Sequence, residues 1–392
     1  MSLFPGCNND VVEPGNELKR NILFYIGGDN NLVSETYQKI NQIRAGWEPG
    51  RGEMIIYVDQ SNKGASLLRI NEIKDADGYY GLDTLYSERE DNSADADVLR
   101  RVINEMKQDY PADSYGMIFF SHASGWLPKG TLNRPRSLVI DDGDGVKNEM
   151  EYDEFASAIP DKQFDFIILE ACLMTDAMSM YELRNKAEYV LGSSAEIVSP
   201  GFSYIYADRI MSLFDTKRPV NATLEIFGQS YYDCIVSQYN ENSAFCSVTM
   251  GLINMREMDN LAATTKNALQ GADMNETTLK TGDVQRFDRP KKLIVNGYNN
   301  SRYFDLAHTV EQIVSESNYR TFNEQLDKTV VWKVATKRFL LGDNNGLPDF
   351  NEYDGFFIER HSGLTTYIIQ DVYPELNSAF KNSSWYKAIY DN

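Results

Sequence analysis

The chain has 392 residues, enough for one large hydrophobic core or two medium ones. Hydrophobic residues make up 42% of it, with 24 Tyr and 19 Phe, which excludes a disordered chain. No apolar run reaches the roughly 18 residues of a membrane-spanning helix. A formal charge of −20 repels phosphate backbones and argues against nucleic acid as a partner, although much of that charge is accounted for by solvated surface.

The opening residues, LFPGCNND and then polar VVEPGNE, lack the charged and apolar regions of an intact signal peptide. They resemble the end of a bacterial lipoprotein signal. That resemblance implies a lipid anchor at Cys7 and a flexible tether over 1–17; an ordinary frayed terminus is the other reading.

KRNILFYIGG (19–28) predicts a strand ending in a Gly-Gly turn, followed by an amphipathic helix near 31–44. EMIIYVDQ (53–60) predicts a second buried strand, and alternating SLLRINEI (66–73) an edge or hairpin strand. ADADVLRRVINEMKQDY (94–110) has helical spacing, with Val98, Val102, Ile103 and Met106 on one face and Pro111 as its stop. SYGMIFFSH (114–122) and QFDFIILEA (163–171) are continuous apolar runs, expected as central strands of a parallel sheet. Between them lies a long Gly-, Pro- and charge-rich excursion that ends in a helix at 151–159. A helix follows Cys172, with Thr175 or Asp176 as its cap, then a strand at 189–197, helices near 203–214 and 220–239, and a strand at 244–252. Beyond 253 the pattern is mainly helical (254–270, 303–316, 321–331) and closes with strands at 332–341 and 364–371.

The two central strands each stop at a residue with reactive chemistry, His122 and Cys172. Strand carboxyl ends are where active sites form in open α/β sheets. A thiol attacks as thiolate, and the start of a helix after Cys172 would favour the anion. A neighbouring histidine can take the thiol proton and return it to a leaving amine. Backbone amides of the turn containing Gly125, and of Cys172 itself, are candidates to hold the oxyanion. A buried inert thiol and a structural histidine are the plainer reading of the same residues. Strand alternation puts Glu170 on the same face as Cys172. Recognition of a cationic substrate group or an ion pair with a nearby Lys or Arg would explain a carboxylate there.

The remaining cysteines, Cys7, Cys234 and Cys246, show no CxxC spacing, and with three histidines in all there is no zinc pattern. DDGDG (141–145) invites a calcium reading but fails the EF-hand test, since Val146 and Lys147 stand where a ligand and a glycine are required, and DNNGLPD (343–349) fails similarly. A metal-dependent hydrolase using DDGDG is a third functional class, removed by insensitivity to chelators.

The segments LFYIGGDNNL, IIYVDQ, SHASGW, EACLM, SSAEIVSPG, YFDLAH and SGLTTYI resemble the clostripain family of cysteine peptidases, relatives of gingipains, legumains and caspases. The resemblance covers most of 20–390 and implies a caspase-like α/β/α sandwich with a mostly parallel sheet. It implies a catalytic core over 18–252 and a C-terminal helical and strand subdomain over 253–392. Carried over residue by residue, the dyad histidine falls on His122, the nucleophile on Cys172, and the acidic P1 determinant on Glu170, with Glu196 as a weaker candidate. The implied activity is cleavage of protein or peptide substrates after Arg or Lys. Where the family has His-Gly this chain has His122-Ala123, whose amide still serves the oxyanion, and Glu replaces the usual Asp at 170. Self-processing in the loop between His and Cys is expected at Lys147, in preference to Lys129, Arg134 and Arg136. No resident metal is implied, calcium being the single cofactor candidate because parts of the family depend on it. The expected protein is a monomeric zymogen, secreted or lipoprotein-anchored. A cell-surface binding or scaffold protein that lost the chemistry is the alternative.

Overall fold

The computed structural model describes residues 18–28, 32–60, 63–129, 131, 139–141, 148–288, 301–340 and 355–391. In chain order the first half comprises β1 (Arg20–Gly28), α1 (Val33–Gly46), β2 (Met54–Gln60), β3 (Ala65–Lys74), β4 (Tyr80–Arg89), α2 (Ala96–Asp109), β5 (Ser114–Phe120), the short pair β6 (Val139–Asp141) and β7 (Asn148–Met150), α3 (Tyr152–Ala158), β8 (Phe164–Glu170), α4 (Ala177–Leu183) and β9 (Ala187–Gly192). Then come α5 (Tyr206–Arg209), α6 (Val220–Gln238), β10 (Thr249–Asn254), α7 (Met258–Leu269), β11 (Phe304–Asp305), α8 (Leu306–Ile313), α9 (Glu316–Thr329) and β12 (Val330–Ala335). Two more helices, α10 (Pro374–Asn382) and α11 (Ser384–Tyr390), close the described chain.

Nine strands form one sheet in the order β12-β10-β9-β8-β5-β1-β2-β3-β4. The five central strands, β9, β8, β5, β1 and β2, are mutually parallel, and antiparallel strands extend the sheet on both sides. Every residue of β1 and β2 is buried, as expected of strands covered on both faces. Alternate residues divide between two cores: Leu23 and Tyr25 face one, Ile22, Phe24 and Ile26 the other. The first core packs against α2, α3, α4 and α7, the second against α1, α5 and α6. Strand order reverses beside β1, because β2 lies on one side of it and β5 on the other. In open α/β sheets, ligands bind outside the strand carboxyl ends beside such a reversal.

Several expectations shift. Of the two readings of β3 the hairpin holds: β3 pairs antiparallel with β4, the edge of the sheet on that side, a polar, half-exposed segment that no apolar run announces. Leu99 joins Val102, Ile103 and Met106 on the buried face of α2, in the position expected for Val98. β9 stops at Gly192, so 193–197 is loop rather than strand, and the last sheet strand covers 330–335 instead of 332–341. The boundary expected between 252 and 253 falls inside β10, and β12 completes the same sheet. The C-terminal region also shares the first core, where the Trp126 ring lies 4.8 Å from Tyr367 and 6.1 Å from Phe380. Residues 1–17, with Cys7, lie outside the described residues. Among the described residues no helix is long and apolar enough to cross a membrane.

Candidate active site

β5 and β8 are adjacent and parallel, with Phe120 opposite Glu170. His122 and Cys172 therefore leave the sheet side by side, each two residues beyond the last paired position. The thiol of Cys172 is half-buried, and the Ile197 amide donates toward its Sγ at 3.4 Å.

After Cys172 the chain turns sharply: Leu173 has φ 62, in the left-handed region. The Leu173 N–H then donates to Ala195 O at 2.8 Å and the Thr175 N–H to Ser193 O at 3.1 Å. Residues 172–175 thus run alongside 193–197. α4 begins only at Ala177, capped by Asp176, whose carboxylate accepts the Ser179 N–H at 2.8 Å. The helix thus starts at the expected Asp176 cap, but the intervening turn separates the Cys172 thiol from its N-terminus, so the helix dipole acts weakly there.

The loop after His122 packs onto this turn. Gly125 has φ 56, and a Cβ there would lie 2.4 Å from Leu173 O and 2.9 Å from Asp176 Oδ2. Only glycine permits both the backbone conformation and the approach. The Tyr303 hydroxyl donates to Ser124 O, and Trp126 is buried behind it. Asp176, enclosed by these groups, has its pKa pushed up to about 7 by burial, against the pull of its hydrogen bonds from Ser179.

Glu170 does not share an open pocket with Cys172. The alternation that would align them ends with β8 at Glu170 itself. Its carboxylate turns into the second core, where Oε1 accepts from Lys39 Nζ at 2.6 Å and from the Phe202 N–H at 2.6 Å, and Oε2 from the Tyr206 hydroxyl at 2.6 Å. Of the two roles open to this carboxylate, the ion pair is the one formed in this structure. Burial pushes the carboxyl up, while Lys39 and the other donors pull it down. Lys39 was missed in the sequence, yet it has a signal: with Thr36, Ile40 and Ile43 it forms the buried stripe of α1, where a lysine needs a partner.

Glu196 lies in the loop beside Cys172. Its neighbours on either side, Ala195 and Ile197, make the contacts to Leu173 and to the Cys172 thiol. Ala123 is buried in the loop after His122. A second histidine supports the same loop: His361 Nε2 lies 3.2 Å from Ser194 Oγ, which lies 2.9 Å from Thr175 Oγ1. Burial, with a smaller contribution from Lys333, lowers the His361 pKa to about 3, so its ring is neutral. The third, His308, accepts the Gln285 N–H on Nδ1 in the C-terminal region.

Lys129 is exposed and pairs with Glu154 at 2.7 Å. Lys147, Arg134 and Arg136, together with most of DDGDG and all of DNNGLPD, lie outside the described residues. Among the described residues no cluster of three or more His, Cys, Asp or Glu is arranged to hold a metal ion. Cys234 and Cys246 are free thiols, both shifted upward in pKa by burial, away from thiolate character.

The clostripain family profile matches residues 24–387. Clostripain from Hathewaya histolytica is 23% identical over 427 aligned positions, covering 95% of this chain and 80% of that protein. Two solved structures each show 26% identity and a TM-score of 0.77 over 95% of this chain. One is an inactive zymogen C11 protease from Parabacteroides distasonis, 99% of which is covered. The other, covered over 98%, is a secreted C11 cysteine protease from Bacteroides thetaiotaomicron in complex with an irreversible peptide inhibitor. With a caspase-like sheet and a family match across nearly its whole described length, the chain belongs to the clostripain family and is a cysteine peptidase.

Proposed function

We propose that this peptidase is an endopeptidase that cleaves after Arg or Lys through a dyad of His122 and Cys172. The carrying observation is the Phe120–Glu170 register, which brings the two strand ends to one level. The His122 imidazole takes the proton from Cys172 Sγ as the thiolate attacks the scissile carbonyl. The carbon–sulfur bond forms, and the oxyanion is held by the amides of Ala123 and Cys172. His122 then gives its proton to the departing amine, and water hydrolyses the thioester by the reverse proton route. No cofactor is needed for these steps.

Glu196 is the favoured P1 determinant in this reading. Its place between Ala195 and Ile197 supports that role, as does a formal charge of −20 on the whole chain. Self-processing at Lys147, an extracytoplasmic location and anchoring through Cys7 complete the proposal. The test is turnover of Arg- and Lys-ending coumarin peptides, beside Cys172→Ala, with intact masses recorded for both proteins. Turnover lost in the variant is the expected result. Absence of turnover with every peptide, with or without calcium, would favour a chain that kept the fold and lost the chemistry.

A further inference from the structure

We infer that Lys39 is a positioning residue of this enzyme: held against Glu170, its ammonium fills the cation site that this carboxylate would otherwise offer beside Cys172, and so removes Glu170 from P1 recognition. The inference rests on Cys172 being the nucleophile and on a basic P1, as proposed above.

An ammonium has three donors. Lys39 Nζ spends them on Glu170 Oε1 at 2.6 Å, Pro200 O at 2.8 Å and Ser203 Oγ at 3.2 Å, and it also sits 4.3 Å from the centre of the Phe120 ring. The side chains of Lys39 and Glu170 are 0% and 1% exposed. The last open side of the carboxylate is closed by backbone: Gly201, at φ 60, comes so near that a Cβ there would lie 2.4 Å from Glu170 Oε1. A substrate guanidinium or ammonium has no route to this oxygen without displacing Lys39 or lifting residues 200–206.

The pair joins three parts of the fold. Lys39 rides on α1, Glu170 ends the strand that leads to Cys172, and Pro200, Phe202, Ser203 and Tyr206 belong to the segment that follows Ile197. The Ile197 amide is the one that reaches the Cys172 thiol. Acting through Glu170, Lys39 therefore holds the wall beside the nucleophile. Charge supports the same assignment, since an uncompensated carboxylate two residues from the thiol would oppose a thiolate, and a neutral ion pair does not.

The experiment uses the full chain with fluorogenic peptides ending in Arg or in citrulline, its uncharged isostere. Wild type, Lys39→Met, Glu170→Gln and the double variant are compared in kcat/KM and melting temperature. Glu170→Gln is expected to lower kcat/KM on both peptides together, leaving the Arg-to-citrulline ratio within about twofold of wild type. The double variant is expected to melt closer to wild type than the sum of the single shifts, because it removes both charges at once. A fall in the ratio of about tenfold or more in Glu170→Gln would overturn the inference by making Glu170 the P1 reader. Additive melting shifts would overturn it too. If wild type cleaves neither peptide, the catalytic reading fails separately, and the melting cycle still decides the pairing.

Discussion

Phe120 of β5 and Glu170 of β8 face each other across a parallel pair, and this fixes where His122 and Cys172 emerge. A slip of one residue would move one partner by about 3.3 Å along the strand, roughly the whole length of a hydrogen bond. Both neighbouring strands are clamped by buried alternating side chains in two cores, so that slip would send each side chain into the opposite core, whose packing it does not fit.

Cys172→Ala should abolish peptide turnover, and His122→Ala should lower kcat by about 10²- to 10⁴-fold, the usual contribution of a positioned acid–base group. Steady-state rates together with labelling of the thiol by a peptide alkylating agent would measure both. Unchanged labelling and turnover in His122→Ala would assign the proton transfer to another group.

Glu196→Gln should reduce the preference for Arg over citrulline at P1 while leaving cleavage of neutral peptides nearly intact. A charge-assisted hydrogen bond contributes about 1.5–3 kcal/mol, so the ratio should fall at least about tenfold. An unchanged ratio would remove Glu196 from the pocket.

Lys39→Met should destabilise the fold by about 3–5 kcal/mol, because it leaves the buried Glu170 carboxylate without its ammonium. Urea unfolding monitored by tryptophan fluorescence would read this directly. A variant as stable as wild type would mean that Glu170 is protonated and the ammonium dispensable.

Gly125→Ala should cost stability and activity together. The left-handed backbone alone costs about 1 kcal/mol, and the 2.4 Å approach to Leu173 O adds a clash that must shift the turn after Cys172. Gly78→Ala is the control: Gly78 has φ 83 with nothing within 4 Å of the added carbon, so it should show the backbone cost alone and full activity. Equal effects at the two positions would mean that contact with the turn is immaterial.

Asp176 predicts a pH dependence of stability. Its folded pKa, about 7, lies above the ordinary 3.8, so between these values the folded protein holds a proton that the unfolded chain releases. This stabilisation is complete below about pH 4 and is lost as pH rises through 7, amounting to at most about 4 kcal/mol. Asp176→Asn should lack that loss, so its stability relative to wild type should improve steadily from pH 4 to 7. A difference that stays flat across this range would contradict the shifted carboxyl.

Much of the fold is legible in the amino-acid order. Strands β1, β2, β5 and β8 are continuous apolar runs because helices cover both of their faces, and that pattern needs no partner to be visible. β4 is invisible to the same reasoning, since it is a half-exposed edge whose hydrogen bonds to β3 impose the strand on polar residues. The helix cap at Asp176 is local chemistry and was readable; the turn that precedes it depends on contacts with 193–195 and was not.

Cys172 and His122 could be singled out because each follows an apolar run, a one-dimensional signal. The partner of Glu170 could not, because alternation is a rule for strands and the strand stops there. Lys39 stood in the buried stripe of α1, announcing only that some acid must meet it. Which acid depends on α1 bringing Lys39 to Glu170 at the end of β8, a relation between residues 131 positions apart. Local order therefore determined the strands, the caps and the reactive side chains, while the assignment of charges to one another was decided by tertiary packing, because burial leaves a charge no alternative but the neighbour that the fold supplies.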